Sequence, residues 1–114
     1  MGYVVADRVT DTSTTMGTGN ITLDNAASTG YRTLDAVAVA GDVFPYALRH
    51  QANSEWETGL GRYNGSHVFV REVVRQSSNS DAVVNFSAGV KDFSISPIAF
   101  DAKYSLAKSH FGGI

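Results

Sequence analysis

The chain has 114 residues, of which 43% are hydrophobic and 11% aromatic, which is typical of one globular domain and excludes a disordered tail. The net charge is −2 with acidic and basic residues interspersed, so the basic surface that nucleic-acid binding requires is absent from the sequence. With no cysteine, disulfides, thiolate chemistry and cysteine-based zinc sites are excluded.

The first elements are short and rich in β-branched residues. Residues 7–15 disfavour a helix, because Val and Thr side chains crowd the preceding turn, and predict an edge strand or an extended arm. Residues 21–23 and 31–34 are predicted as strands, with a loop over 24–30. Residues 35–40 are compatible with a loop, a short strand or a short helix.

Pro45 interrupts an aromatic strand predicted over residues 43–50. Because proline cannot donate to a ladder, this strand is predicted to lie at a sheet edge or to carry a bulge near Pro45. A polar turn at 51–54 follows it.

Residues 55–73 are predicted to form a β-hairpin, the central element of the chain. Its two runs are joined by a link containing Asn64 and Gly65, which tolerate the positive φ of tight turns. One face of the first strand carries Trp56, and the other carries Tyr63 and two glycines that let a neighbour approach closely. The structural signature of this hairpin is Trp56, Gly59, Gly61 and Tyr63.

The remaining chain continues the same pattern, with a surface loop over 76–81 and strands over 82–86 and 90–96. In total, about seven to nine short strands indicate an all-β fold, an antiparallel β-sandwich or barrel. Residues 1–114 are predicted to be a single domain with an extended N-terminal arm and a C-terminal tail over 97–114.

Several short motifs follow one another in order. They are Ala6-Asp7-Arg8-Val9, Thr12-Ser13-Thr14-Thr15, Gly17-Thr18-Gly19, Ile21-Thr22-Leu23, Thr29-Gly30-Tyr31, the run from Trp56 to Tyr63, Arg71, Ser77-Ser78-Asn79 and the run from Val84 to Phe93. Their joint order resembles a small β-rich module of tailed-bacteriophage virion proteins, a family associated with tail fibres or decorating heads and tails. The resemblance covers about residues 6–96.

The resemblance implies a non-enzymatic virion structural protein, assembled in the host cytoplasm. Because no fibre shaft follows the module, we expect a capsid decoration (cement) protein or a small neck or tail adaptor. The implied partners are the major capsid protein or neck and tail proteins, without nucleic acid or membrane. A homo-oligomer, with a trimer favoured, would offset the small core through shared burial. The alternative function is a tail-fibre-type glycan-binding module for host recognition.

The two ends of the chain are expected to supply attachment, because exposed backbone and apolar anchors suit strand addition to a neighbour. The candidate interaction residues are Val9, Phe100, Tyr104, Leu106 and Phe111. The N-terminal residues 1–8 lack the features of a signal peptide, and no apolar run reaches the roughly 18 residues of a membrane helix. We therefore expect a soluble product.

Glu55 and Glu57 share one strand face, roughly 6.5–7 Å apart by strand rise, a separation compatible with the carboxylate pair of a hydrolase. A solvated or intersubunit role is favoured, because no pocket-forming pattern accompanies them. His50, His67 and His110 share no metal-ligand spacing and are interpreted as surface or interface histidines. We therefore predict no catalytic residue, metal or cofactor.

Trp56 has two possible positions. It could stack on sugar rings at the surface, or fill the core, where an aromatic side chain buries roughly 150–250 Å². Tyr63 falls on the opposite strand face, so the two cannot form one platform. The core is the favoured position for Trp56.

Overall fold

In a computed structural model, which describes residues 2–96, six antiparallel strands form one nearly closed, barrel-like sheet in the order β1-β6-β3-β4-β5-β2. The strands are β1 (Thr10–Ser13), β2 (Ile21–Thr22), β3 (Val43–His50), β4 (Trp56–Gly65), β5 (Val68–Ser77) and β6 (Lys91–Ile95), and a 3-10 turn spans Leu34–Ala36. The all-β prediction is confirmed. Among residues 2–96, no helix is long and apolar enough to cross a membrane.

The sheet curls far enough for the segment after β2 to join its two edges. The Leu23 N–H donates to the His67 carbonyl beside β5 at 2.8 Å, and the Asp24 N–H donates to the Thr12 carbonyl of β1, also at 2.8 Å. Consecutive residues thus extend the pairing of β2 with the β5 side and bond to the opposite edge strand, β1. This arrangement covers the backbone edges that an open sheet would expose there.

Two segments that were predicted to be strands pair only through isolated β-bridges. Residues 31–34 contribute one bridge, between Arg32 and Val9, before the 3-10 turn, and residues 82–86 contribute one bridge, between Phe86 and Gly17. These segments instead contribute apolar anchors to the core. The anchors are Leu34, Val84 and Phe86.

β3 pairs on both sides, and its register with β4 runs without a shift through Pro45, so both predicted alternatives, an edge strand and a bulge near Pro45, are wrong. The reason is local: the Pro45 carbonyl accepts from the Ser96 N–H at 3.0 Å, on the side where β6 ends at Ile95. The missing N–H of Pro45 faces that same side. Proline therefore removes no bond from the ladder between β3 and β6, which begins at Tyr46.

The core is an aromatic cluster with ring centroids 5.2 to 5.9 Å apart, formed by Phe44, Tyr46, Phe69 and Phe93. Such pairs add about 0.5–1.5 kcal/mol each beyond the area they bury. Gly61 lies directly beneath this cluster. A Cβ there would lie 2.8 Å from the Phe44 ring and 2.9 Å from the Phe69 ring, so the predicted close approach over the glycine face is confirmed.

β4 and β5 form the predicted hairpin, but its turn lies two residues later than expected. The residues between the strands are Ser66 and His67, both with positive φ, at 53° and 67°. Asn64 and Gly65 instead end β4, where a register shift between Tyr63 and Gly65 marks a bulge. Asn64 and Gly65 therefore bend the strand that enters the turn.

Candidate functional site

A buried ion pair joins β4 and β5 inside the barrel. The Glu57 side chain is 0% exposed, the Arg71 side chain is 2% exposed, and Arg71 Nη1 lies 3.1 Å from Glu57 Oε1. The Tyr46 hydroxyl donates to Oε2 at 2.6 Å, and the Val84 N–H donates to Oε1 at 2.9 Å. Burial and the adjacent Glu57 charge raise the pKa of Tyr46, so its hydroxyl stays protonated as a donor.

Arg71 also holds two loops against the barrel. Its guanidinium donates to the carbonyls of Gly17 at 2.8 Å, Gly19 at 3.0 Å and Val84 at 2.8 Å, and lies 5.6 Å from the Phe86 ring centroid. A buried charge is tolerated only with such a full set of partners. We therefore assign this polar centre a structural role, in which it positions the loops that precede β2 and β6.

Glu55 and Glu57 do not form a shared site. Glu57 lies inside the barrel, which contradicts the solvated role expected for it. Glu55 is partly exposed and accepts bonds from the Ser87 hydroxyl at 2.7 Å and the Ser87 N–H at 2.9 Å. These two hydrogen bonds, the hydroxyl first, lower the pKa of the Glu55 carboxyl.

The lowered pKa of Glu55 predicts a stability loss in acid. A carboxyl whose folded pKa is depressed stabilises the fold above its unfolded value, and this contribution is lost as the pH falls through the folded pKa. Between about pH 6 and about pH 3, we expect the wild-type free energy of unfolding to fall more than that of Glu55→Gln. Urea unfolding of both proteins at each pH measures the difference, and parallel pH curves would contradict it.

His50 is buried, which corrects the expectation of a surface histidine. Its Nδ1 accepts from the N–H groups of Ala52 at 3.0 Å and Asn53 at 3.1 Å, which fixes the tautomer that carries its proton on Nε2. Nε2 donates to the Ala88 carbonyl at 2.8 Å. His50 thus fastens the turn after β3 to the loop before β6.

Lys91 lies opposite His50 on β6 and is also buried. Its Nζ donates to the Gly89 carbonyl at 2.9 Å. Burial lowers the pKa of Lys91, while the charge of Glu55 opposes this shift. Gly89 has φ 122°, and a Cβ there would meet the His50 ring at 2.9 Å, so glycine is required at this position.

The other histidines form no metal site within the described chain. His67 Nδ1 lies 3.0 Å from Asp35 Oδ2, and His110 lies outside residues 2–96. Among those residues, no group of three or more His, Cys, Asp or Glu side chains is placed to hold a metal ion.

Trp56 lies on the outer face of the barrel and is 41% exposed, so the prediction that it fills the core is wrong. Arg49 of β3 lies directly opposite Trp56, and Asp92 of β6 lies opposite Arg49. Asp92 Oδ2 lies 2.5 Å from Arg49 Nη2, and Asp92 Oδ1 accepts from Gln51 Nε2 at 2.8 Å. We call Trp56, Arg49, Asp92 and Gln51 the tryptophan row.

The predicted attachment residues fall in different places. Val9 is buried, and its carbonyl accepts from the Ile95 N–H at 3.2 Å, so its side chain is not on the surface where attachment was expected. In the N-terminal segment, the exposed apolar residues are instead Tyr3, 56% exposed, and Val5, 57% exposed. The remaining four, Phe100, Tyr104, Leu106 and Phe111, lie outside residues 2–96.

Both ends of the described chain lie beside the start of β3. The Val43 N–H donates to the Gly2 carbonyl at 2.7 Å, and the Val4 N–H donates to the Val43 carbonyl at 2.8 Å. Two positions along the strand, the Pro45 carbonyl accepts from Ser96. The N-terminal segment and the chain at residue 96 therefore meet at one end of the barrel.

The signature residues of the hairpin occupy three environments. Tyr63 is in the core, Gly59 and Gly61 lie beneath close neighbours, and Trp56 is outside. The pattern thus reflects the architecture of the hairpin and does not mark a single site. Comparison with known proteins adds no relative, since no protein-family model, curated protein or solved structure matches the chain.

Proposed function

We propose that the chain is a non-enzymatic structural protein of a bacteriophage virion, a capsid decoration protein or a small neck or tail adaptor. The observation that carries this proposal is that the N-terminal segment and the chain at Ser96 lie side by side at Val43 and Pro45. Because the tail that follows Ser96 starts beside the N-terminal segment, the two can act as a single attachment point. The rest of the barrel then faces away from the surface it decorates.

The N-terminal segment has the properties of an attachment strand. It pairs with β3 through a single bridge between Tyr3 and Val43, and both Tyr3 and Val5 present apolar side chains to solvent. Full burial of one such side chain against a partner contributes about 1.5–3 kcal/mol. A short pairing beside exposed apolar groups suits strand addition to a neighbouring virion protein.

The barrel supplies rigidity to this attachment. Its interior is filled by the aromatic cluster and by the polar centre of Glu57 and Arg71, which fixes the surrounding loops. The partners of the proposal are the major capsid protein or neck and tail proteins. Further copies of the chain, in a trimer, would share burial around the same end.

Incorporation into particles tests the proposal. The tagged full chain, Tyr3→Ser/Val5→Ser, and a control Met16→Ser are each supplied during infection by the bacteriophage that carries the gene, and purified particles are assayed. Met16 is the matched control because it is similarly exposed, at 61%, but lies next to the bridge of Gly17 and not beside β3. We expect at least a tenfold loss for the double variant and full incorporation of the control.

A truncation after Ser96 separates the two ends. Unchanged incorporation of the truncated chain would contradict a role of the C-terminal tail as an anchor, and absence of the full chain from particles would overturn the virion role itself. Copy number then locates the protein: on the order of hundreds per particle indicates capsid decoration, and about six or twelve indicates the neck or tail.

A further inference from the structure

The tryptophan row is bordered by small side chains on the same outer face of the sheet. The next outward-facing position along each of the three strands is occupied by Thr58, Ala47 and Ser94, which are themselves direct cross-strand neighbours. With strands about 4.8 Å apart, the row from Trp56 to Asp92 spans about 10 Å. A row of this length can contact one sugar ring and its hydroxyls.

The chemistry of the row matches the two kinds of surface that a sugar presents. The apolar C–H face of a pyranose ring packs against aromatic side chains, and that of Trp56 is accessible, since the residue is 41% exposed. Sugar hydroxyls both donate and accept hydrogen bonds, and the row offers partners for both. The Arg49 guanidinium donates, the Asp92 carboxylate accepts, and the Gln51 amide can do either. Trp56 alone would suit any apolar partner, whereas the polar groups in register beside it favour a hydroxyl-rich one.

The polar groups of the row are hydrogen-bonded to one another. Asp92 bonds Arg49 through one carboxylate oxygen and Gln51 through the other. The Arg49 and Asp92 side chains are 64% and 39% exposed, so both remain accessible to a ligand. The charges of Arg49 and Asp92 cancel, so the row attracts neither anionic nor cationic ligands over long distances.

We propose that the tryptophan row is a binding site for a neutral pyranose residue of a glycan. The ring of the sugar stacks on Trp56, and two adjacent hydroxyls bond to Arg49, Asp92 and Gln51. The inference does not rest on the virion role, because it uses a face of the sheet other than the proposed attachment end. A virion protein attached beside Val43 could carry this face outward.

The chain provides its own probe, because Trp56 is the only tryptophan. Intrinsic fluorescence of the full-length protein therefore reports on this site alone. We expect saturable changes in emission with at least one of the methyl glycosides of glucose, galactose, mannose or N-acetylglucosamine, or with their disaccharides, at millimolar or tighter affinity. Sialyllactose binding more tightly than lactose would overturn the preference for a neutral sugar.

Variants inside and outside the row test whether sugar binding depends on the row. Arg49→Ala and Asp92→Ala should each weaken the sugar that binds by at least tenfold, while Val73→Ser, at an exposed position on β5 outside the row, should bind like the wild type. Calorimetry of Trp56→Leu should show no binding. Unfolding curves for each variant check that the fold persists.

Two results would overturn the proposal. One is emission unchanged by every neutral sugar tested, or a change that persists undiminished in Arg49→Ala and Asp92→Ala. The other is self-association of the wild-type chain, seen by sedimentation and abolished by Trp56→Ser, without any response to sugars. That second result would assign the row to a protein interface.

Discussion

Replacing Arg71 with Met is expected to lower the free energy of unfolding by about 3–5 kcal/mol. The substitution leaves the Glu57 carboxylate buried without its counter-charge. It also removes the donors that hold the Gly17 and Gly19 carbonyls. Equilibrium unfolding in urea measures the loss.

The same hairpin contains a matched control. Arg62 lies 3.0 Å from Glu72, but both side chains are partly exposed, so their attraction is screened by water. Arg62→Met should therefore cost at most about 1 kcal/mol. Losses of equal size for the two variants would show that Arg71 does not carry the structural role assigned to it.

Replacing Gly59 with Ala is expected to cost about 3 kcal/mol or more, at the upper end of the range for overpacking. A Cβ at this position would lie 2.0 Å from the Val73 carbonyl oxygen, a backbone atom that cannot rotate away. The close approach arises from the register shift of β5 between the partners of Thr58 and Gly59. The clash could be relieved only if β5 lost this bulge.

Gly19 is the control for Gly59. Nothing lies within 4 Å of a Cβ built on Gly19, so Gly19→Ala should change stability by no more than about 0.5 kcal/mol. Thermal and urea unfolding of the two variants, measured side by side, test the difference. A Gly59→Ala protein as stable as the wild type would mean that the bulge is not a fixed feature of the fold.

Much of the fold follows from local patterns. Alternation over residues 90–96 places Phe93 and Ile95 on one face, and the structure puts both toward the core. The hairpin and β3 follow from runs of β-branched and aromatic residues. Residues 31–34 and 82–86 were also predicted as strands but form only isolated bridges, while Leu34, Val84 and Phe86 enter the core. A pattern of period two cannot show this.

The tryptophan row and the polar centre were harder to predict. The alternation of side chains along β4 places Trp56 and Glu57 on opposite faces of the strand, but it does not show which of the two faces is turned to the core. Hydrophobicity favours the wrong choice, a buried Trp56 and a solvated Glu57. One sequence feature points the other way: Arg71 shares the inward face of β5 with Phe69. A single arginine among core positions indicates a buried carboxylate on the facing strand, because an unpaired charge in the core would be strongly destabilising.

The sequence alone determines that this protein is all-β, that its centre is the β4–β5 hairpin and that close neighbours can approach Gly61. These three features follow from the alternation of side chains along the strands and from local backbone chemistry. Only the tertiary structure decides which face of the hairpin is the inside. The aromatic rings of Phe44 on β3 and Phe69 on β5 occupy the space above Gly61, and Glu57 lies on the same inward face, where it meets Arg71. Trp56, on the opposite face of the strand, is turned outward, and the residue that marks the hairpin in the sequence becomes its most exposed aromatic ring.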